Sequence, residues 1–338
     1  MLKKKVLITG ISGMVGSHLC DYIFENTDWD IYGLVRWRSS LENLENHIDT
    51  INLKKRIFLK YGDLLDSESL IEIIKSVKPD YVFHLAAQSF PKTSFESPIN
   101  TFDVNINGTT RLLNAIKNYS NSSIVHVCSS SEIFGRVDKS RLPIKEDENF
   151  HPASPYAISK AGTDLAARFY AEAYGLNINI TRMFTHTGPR RGDVFAESTF
   201  AKQIAMIENN LIEPVIQVGN LNSLRTWSDV RDAVRAYFML LTINPTPGSY
   251  YNIGGTYTCT VGDTLDKLIS LSTYKKKINI KISKERLRPI DADLQVPDTS
   301  KFHAHTKWKP EISYEKTMLD LLNYWRHKIS GNQKFLIR

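Results

Sequence analysis

Glycines at positions 10, 13 and 16 directly follow a short apolar run, and no other feature limits the fold of this chain so severely. Lys5–Thr9 (Lys-Val-Leu-Ile-Thr) reads as a strand and residues 14–25 read as a helix. Glycine between them permits a tight turn and lets backbone N–H groups at the helix start approach a diphosphate. The spacing Gly-x-x-Gly-x-x-Gly is one residue longer than the Gly-x-Gly-x-x-Gly fingerprint, but it occupies the same strand–turn–helix position. Gly10, Gly13, Met14, Val15 and Gly16 are therefore expected to line a bound dinucleotide.

The first 180 or so residues repeat this unit. β-branched runs at 31–35, 56–60, 81–84, 124–128 and 177–181 alternate with helical patterns at 70–77, 105–118 and 155–174. Such alternation implies βαβ crossovers and a doubly wound parallel sheet, an α/β fold of Rossmann type. The helix over 155–174 is well punctuated, with Ser154 to cap it, Pro155 in its first turn and Gly175 beyond its end. Past Arg182 the rhythm breaks at Gly188, Pro189, Gly192 and Pro214. A strand–helix unit at 225–241, a strand at 278–282 and a closing amphipathic helix at 314–327 remain. The expected division is a nucleotide-binding domain of 1–182 plus about 222–255, and a smaller, irregular α/β domain of 183–221 plus 256–338. A cleft between them would hold the substrate.

Charge excludes less than it suggests. The 338 residues carry 43 Lys+Arg against 36 Asp+Glu, a formal +7, but the basic residues are dispersed. The runs Lys3-Lys4-Lys5 and Lys275-Lys276-Lys277 flank strands and read as solvated edges, so no nucleic-acid partner is expected. No eighteen apolar residues run together, which argues against a membrane span, and the apolar run after Lys5 is too short for a signal peptide. Cys20, Cys128 and Cys259 are odd in number and far apart, as in a chain of a reducing, cytoplasmic compartment. No metal site is expected: His303 and His305 lack partners, and His84 and His126, at strand positions, read as core histidines.

The second strand ends at Arg36, with Arg38, Ser39 and Ser40 following and no acid there to take a ribose 2′-hydroxyl. Two guanidinium groups with hydroxyls beside them suit a 2′-phosphate, which favours NADP over NAD. Asp63-Leu64 after the third strand and Leu85-Ala86-Ala87 after the fourth are expected along the cofactor, with Gln88 and Ser89 next to them. Tyr156-x-x-x-Lys160 puts two side chains on one helical face, and Ser129-Ser130-Ser131-Glu132 follows the fifth strand. A neighbouring ammonium favours the phenolate of a tyrosine, whose ordinary pKa near 10 is too high for a base at neutral pH.

This ordered set resembles the extended short-chain dehydrogenase/reductase superfamily over nearly the whole chain. Within it the likeness is to GDP-mannose 4,6-dehydratases, carried by Val35-Arg36-Trp37-Arg38-Ser39-Ser40, Tyr61-Gly62-Asp63-Leu64, Ala87-Gln88-Ser89, residues 129–135, Pro189-Arg190-Arg191-Gly192-Asp193 and Gly219-Asn220-Leu221-Asn222-Ser223-Leu224-Arg225. The resemblance implies that Tyr156 takes the 4-hydroxyl proton as hydride leaves C4. It implies that Ser130 holds that oxygen, that Lys160 assists, and that Glu132 removes the C5 proton so that water leaves C6. Hydride would then return to C6, giving a 4-keto-6-deoxy sugar with no net redox change. Arg225 and Arg288 would grip the substrate diphosphate, and Gln88, Ser89 and Thr185 would line the sugar. His186, Arg191, Arg36 and Arg38 would meet the cofactor, and a homo-oligomer, dimer or tetramer, is implied.

Three departures bear on the sugar. Thr185 stands in Phe184-Thr185-His186 where the family has asparagine, and Thr199 stands where a lysine is expected, with Lys202 nearby. Thr187-Gly188-Pro189 and Asp229-Val230-Arg231-Asp232 look more like GDP-4-keto-6-deoxymannose reductases, which use the same tyrosine–lysine pair. The expectation is a GDP-sugar 4,6-dehydratase acting on GDP-mannose or GDP-D-glycero-D-manno-heptose with bound NADP. An NADPH-dependent ketoreductase, a 4-epimerase and a non-catalytic nucleotide binder are the alternatives.

Overall fold

The computed structural model describes residues 3–287 and 292–331. Seven parallel strands form its main sheet: β1 (Lys5–Thr9), β2 (Asp30–Val35), β3 (Ile57–Tyr61), β4 (Tyr81–His84), β5 (Ile124–Cys128), β6 (Asn177–Met183) and β10 (Tyr250–Ile253). Their spatial order is β3-β2-β1-β4-β5-β6-β10, with Thr9 level with both Leu34 and His84. The order reverses between β1 and β4, so a crevice opens there at the carboxyl ends of the strands, where such sheets bind ligands.

Alternation along the strands fills both faces. Val6 and Ile8 pack with Leu19 and Ile23 of the Met14–Asn26 helix and with Val234, Tyr237 and Leu241 of the Val230–Thr242 helix. Leu7, Val82 and Val125 face the other way, toward Leu112 and Ile116 of the Gly108–Tyr119 helix and Ala167 of the Pro155–Tyr174 helix. The latter helix begins as its sequence suggests: Ser154 Oγ accepts from Ala157 N–H at 3.0 Å, and Gly175 closes it at φ +67°.

A second core gathers around the Ala196–Glu208, Val261–Ser270 and Tyr314–Ser330 helices. Its sheet has the order β11 (Tyr257–Thr260), β9 (Leu224–Asp229) and β13 (Leu294–Gln295), with β7 (His186–Thr187) also on β9. A separate ribbon pairs β8 (Val215–Val218) with β12 (Asn279–Ile282). The pattern expectation places about 222–255 with the nucleotide-binding domain; Leu224–Asp229 instead pairs in the small sheet, and the chain rejoins the first core only at Val230. It also returns once more: Phe302 and Trp308 join the first core, and Trp308 Nε1–H donates to Asp232 O at 3.1 Å. Strand pairing at long separation decides the first crossing and side-chain packing the second, and a linear pattern encodes neither.

A helix over 105–118 was expected. Instead Pro98–Phe102 runs through a π-turn at Asp103–Asn107 into Gly108–Tyr119. Among the described residues no helix is long and apolar enough to cross a membrane.

Candidate active site

The glycines form a cradle at the sheet edge. Gly10 sits at φ +73°, and a Cβ there would lie 2.9 Å from Ala86 N; one on Gly16 would lie 2.2 Å from Gly10 O. Backbone and helix start are thus packed against each other at the position where a diphosphate approaches. A buried relay ties this turn to the β4 loop. Thr9 Oγ1 accepts from Leu85 and Ala86 N–H, both at 3.1 Å, and meets His84 Nδ1 at 2.8 Å. His84 Nε2 meets Thr109 Oγ1 at 2.9 Å, and that hydroxyl donates to Asn105 O at 2.6 Å. With its proton so committed, Thr109 accepts from Nε2–H, and His84 is the neutral tautomer. Burial, with the Lys160 charge, holds its pKa down to about 3.

Asn105, in the π-turn, was not singled out by its sequence context. Its amide pairs with both backbone groups of Gln88, at 2.8 and 3.0 Å, and donates to Ser159 Oγ at 2.8 Å. Ser159 in turn donates to Tyr156 O at 2.7 Å. The β4 loop is thereby fixed to the helix that carries Tyr156 and Lys160. Gln88 was expected at the sugar, but its own amide is spent on its loop, through Phe90 N–H, Phe90 O and Thr101 Oγ1. Ser89 beside it is exposed.

Tyr156, Ser130 and Glu132 come together as their spacing implies. Ser130 Oγ accepts from Glu132 N–H at 3.2 Å, and its hydroxyl favours ionisation of the nearby Tyr156 phenol. Lys160 Nζ, one turn on, donates to Cys128 O at 2.7 Å. Burial raises the Tyr156 phenol well above its ordinary value, and Cys128 and Glu132 add to this; the Ser130 hydrogen bond and Arg191 oppose it. Burial lowers the Lys160 ammonium, against a smaller contribution from Cys128.

The facing wall comes from the second half of the chain. His186, held by Phe184 O at 3.1 Å, has its pKa pulled down to about 4 by burial and then by Arg191. Arg191 is paired with Glu197 at 3.1 Å. Its loop is tied to the cradle helix, because Arg190 Nη1 meets Asp21 at 2.7 Å and His18 Nε2 lies 3.1 Å from Pro189 O. Thr185 O accepts from Ser228 N–H at 3.0 Å. Thr199 donates to Asp193 O at 2.6 Å, and Lys202 pairs with the Asp193 carboxylate at 2.9 Å. Arg225 is buried, its Nη1 on Ala292 O at 2.5 Å. Arg288 lies outside the described residues.

At the far end of the crevice Arg36 and Arg38 are exposed, and Arg36 N–H donates to Ser39 Oγ at 3.2 Å. Trp37 stands between them edge-on to Tyr61. Asp63 caps its own turn through Leu65 N–H at 3.0 Å, and Leu64 is buried against Gly108.

A parallel sheet with this cradle at its switch point and a tyrosine–lysine helix beside the end of β5 places the molecule among the extended short-chain dehydrogenase/reductases. The profile of the GDP-mannose 4,6 dehydratase family matches residues 7–321. GDP-mannose 4,6 dehydratase 1 of Arabidopsis thaliana is 35% identical over 93% of this chain and 87% of its own. Among solved structures, RMD from Pseudomonas aeruginosa, complexed with NADPH, superposes with TM-score 0.81 at 27% identity over 96% of this chain and all of that one (100%). UDP-glucose 4-epimerase from Thermotoga maritima, with UDP-glucose, gives 0.83 at 26% identity over 96% of this chain and 99% of its own. This chain belongs to the GDP-mannose 4,6 dehydratase family.

Proposed function

We propose that this protein converts GDP-mannose to its 4-keto-6-deoxy derivative and water, with NADP held in the Gly10–Gly16 cradle. The observation that carries the reading is the cluster of Tyr156, Ser130 and Glu132 beyond the end of β5, inside a chain of this family. A bound nicotinamide would accept hydride from C4 and return it to C6. The chain's own residues handle protons and position. Tyr156, as phenolate, takes the 4-hydroxyl proton, and Ser130 donates to the same oxygen. Glu132 then removes the proton at C5, which the adjacent ketone acidifies, and passes it to the C6 hydroxyl, which leaves as water; the proton taken by Tyr156 balances the one C5 regains when hydride returns to C6. Arg225 supplies a guanidinium for the diphosphate, and His186 and Arg191 flank the nicotinamide end.

The choice of NADP over NAD rests on Arg36 and Arg38 at the end of β2, where no carboxylate competes for the ribose. A homo-oligomer is supported by Ile158, Leu165 and Phe169, exposed at helical spacing along the Pro155–Tyr174 helix. Three unpaired cysteines support a reducing, cytoplasmic compartment.

The test incubates the protein with GDP-mannose and, separately, GDP-D-glycero-D-manno-heptose, without added NADPH, and follows product mass. Loss of one water from either substrate supports an internal-redox dehydratase and names its sugar. If neither changes while a 4-keto-6-deoxy GDP-sugar consumes NADPH, the dehydratase reading is wrong.

A further inference from the structure

Ser94 sits in the Pro91–Glu96 helix with no exposed surface, and no sequence motif draws attention to it. Its hydroxyl donates to Pro91 O at 2.5 Å, which leaves its lone pairs free to accept. They accept from the backbone N–H of Tyr156 at 3.0 Å. The first turn of a helix leaves its N–H groups without partners in the helix itself, and Tyr156 stands in that turn. Pro155 before it has no N–H. Ala157 N–H and Ile158 N–H go to Ser154, to Oγ at 3.0 Å and to O at 2.9 Å. Ser94 therefore supplies, from another helix, the bond that the cap does not.

The other backbone group of Tyr156 is held as well. Ser159 Oγ donates to Tyr156 O at 2.7 Å and accepts from Asn105 Nδ2–H at 2.8 Å. Asn105 holds Gln88, and Gln88 Oε1 accepts from Phe90 N–H at 2.6 Å, at the start of the helix that carries Ser94. Both holds thus end on the loop after β4, and that loop is bonded to the cradle through Thr9. Lys160, one turn further along the helix, has its own anchor at Cys128 O.

We propose that Ser94 is a positioning residue for Tyr156. It keeps the first turn of the Pro155–Tyr174 helix in register with the loop after β4, and so sets where the phenol stands relative to the cofactor cradle. The proposal rests on the reading of Tyr156 as the base. Helix ends fray, and a misplacement of about 1 Å can cost about 10²-fold in rate. Loss of Ser94 loosens the tyrosine and spares the lysine.

The experiment is Ser94→Ala. Its kcat for GDP-mannose dehydration, counted per bound NADP, should fall by about 10–100-fold, while KM for GDP-mannose and the affinity for NADP stay within about twofold. Exchange of the Tyr156 amide proton with solvent, followed by tyrosine-selective isotope labelling, should quicken by about tenfold. Ser94→Cys keeps the volume and offers a weaker acceptor, so it should fall between wild type and Ser94→Ala in both readings. A purely structural role would lower the folded fraction and leave kcat per bound NADP unchanged. Unchanged kcat, unchanged amide exchange, or a rise in KM as large as the fall in kcat overturns the proposal. If Ser94→Ala does not fold, Ser94→Cys decides alone. Wild-type protein that leaves GDP-mannose unchanged sinks the dehydratase reading instead. Ser94 is then judged by amide exchange and by kcat for NADPH-dependent reduction of a 4-keto-6-deoxy GDP-sugar, a reaction of the same tyrosine, and inertness toward that sugar too overturns the proposal.

Discussion

On the nucleotide-domain wall of the cleft, Tyr156 and Lys160 stand one turn apart on a single helix, and Ser130 and Glu132 share one turn after β5. On the facing wall, His186, Arg191, Glu197 and Arg225 come from β7, the loop after it, the Ala196–Glu208 helix and β9. The first wall is set by local geometry, in which spacing of four residues on a helix suffices. The second exists only because β7, β9, β11 and β13 find each other across the second half of the chain. Under the proposed function, the chemistry that requires fixed geometry falls on the locally determined wall and recognition on the wall assembled from distant pieces.

The sharpest challenge to that division is Tyr156→Phe. It should lower kcat by about 10²–10⁴-fold and leave the denaturation midpoint near that of wild type, as measured by turnover and urea unfolding together. Large unfolding in this variant would mean that the local wall is not independent of its chemistry.

Asp164→Ala should do the reverse. The Asp164 carboxylate holds Arg182 at 2.8 and 3.1 Å, both groups fully buried, and Arg182 also donates to Glu146 O at 2.6 Å. Its guanidinium lies over Phe150 and Tyr250, at 4.9 and 4.3 Å from the ring centroids. Losing the carboxylate strands a buried cation, at a cost of about 3–5 kcal/mol. A denaturant titration showing less than about 1 kcal/mol would remove this pair as the lock between the Pro155–Tyr174 helix and β6.

Arg36→Ala tests whether the cofactor end of the crevice behaves like the facing wall. It should weaken NADP by about 10–100-fold, the range for a charged hydrogen bond of about 1.5–3 kcal/mol, and NAD hardly at all. Equal losses in calorimetric titrations of the two cofactors would remove the 2′-phosphate argument.

The smallest effect is a pH slope in the buried relay. The folded pKa of His84 is about 3, held down by burial, and its unfolded value is near 6.5. The unfolded chain binds the extra proton, so the contribution of His84 is complete above about pH 6.5 and is lost progressively as pH falls toward the folded pKa. Unfolding free energy should drop by up to about 1.4 kcal/mol per pH unit for this one group. His84→Gln should flatten that slope, and an unchanged slope would mean that the relay does not exclude the imidazolium.

Much of the molecule was legible in the residues themselves. The Gly10–Gly16 turn, six of the seven main strands and the Ser154-capped helix follow from apolar period, glycine and caps, all of which act within a few residues. The pairing of Ser130 with Tyr156 was legible too, because consecutive strand ends of a parallel sheet lie at one edge. Other residues left no such trace. Asn105 looks like any polar residue of a helix until the π-turn sets its amide against Gln88 and Ser159. Glu197 looks like a first-turn acid of a helix, and only the fold gives it Arg191.

The sequence by itself determined the class of fold, the cradle and the chemical side chains of one wall, since each depends on interactions between residues a turn or a strand apart. The tertiary structure decided where β9 pairs, which half of the chain Trp308 packs against, and how Arg190 ties the loop of Arg191 to Asp21. Those contacts join residues thirty or more positions apart, where loop-closure entropy and packing of whole elements govern.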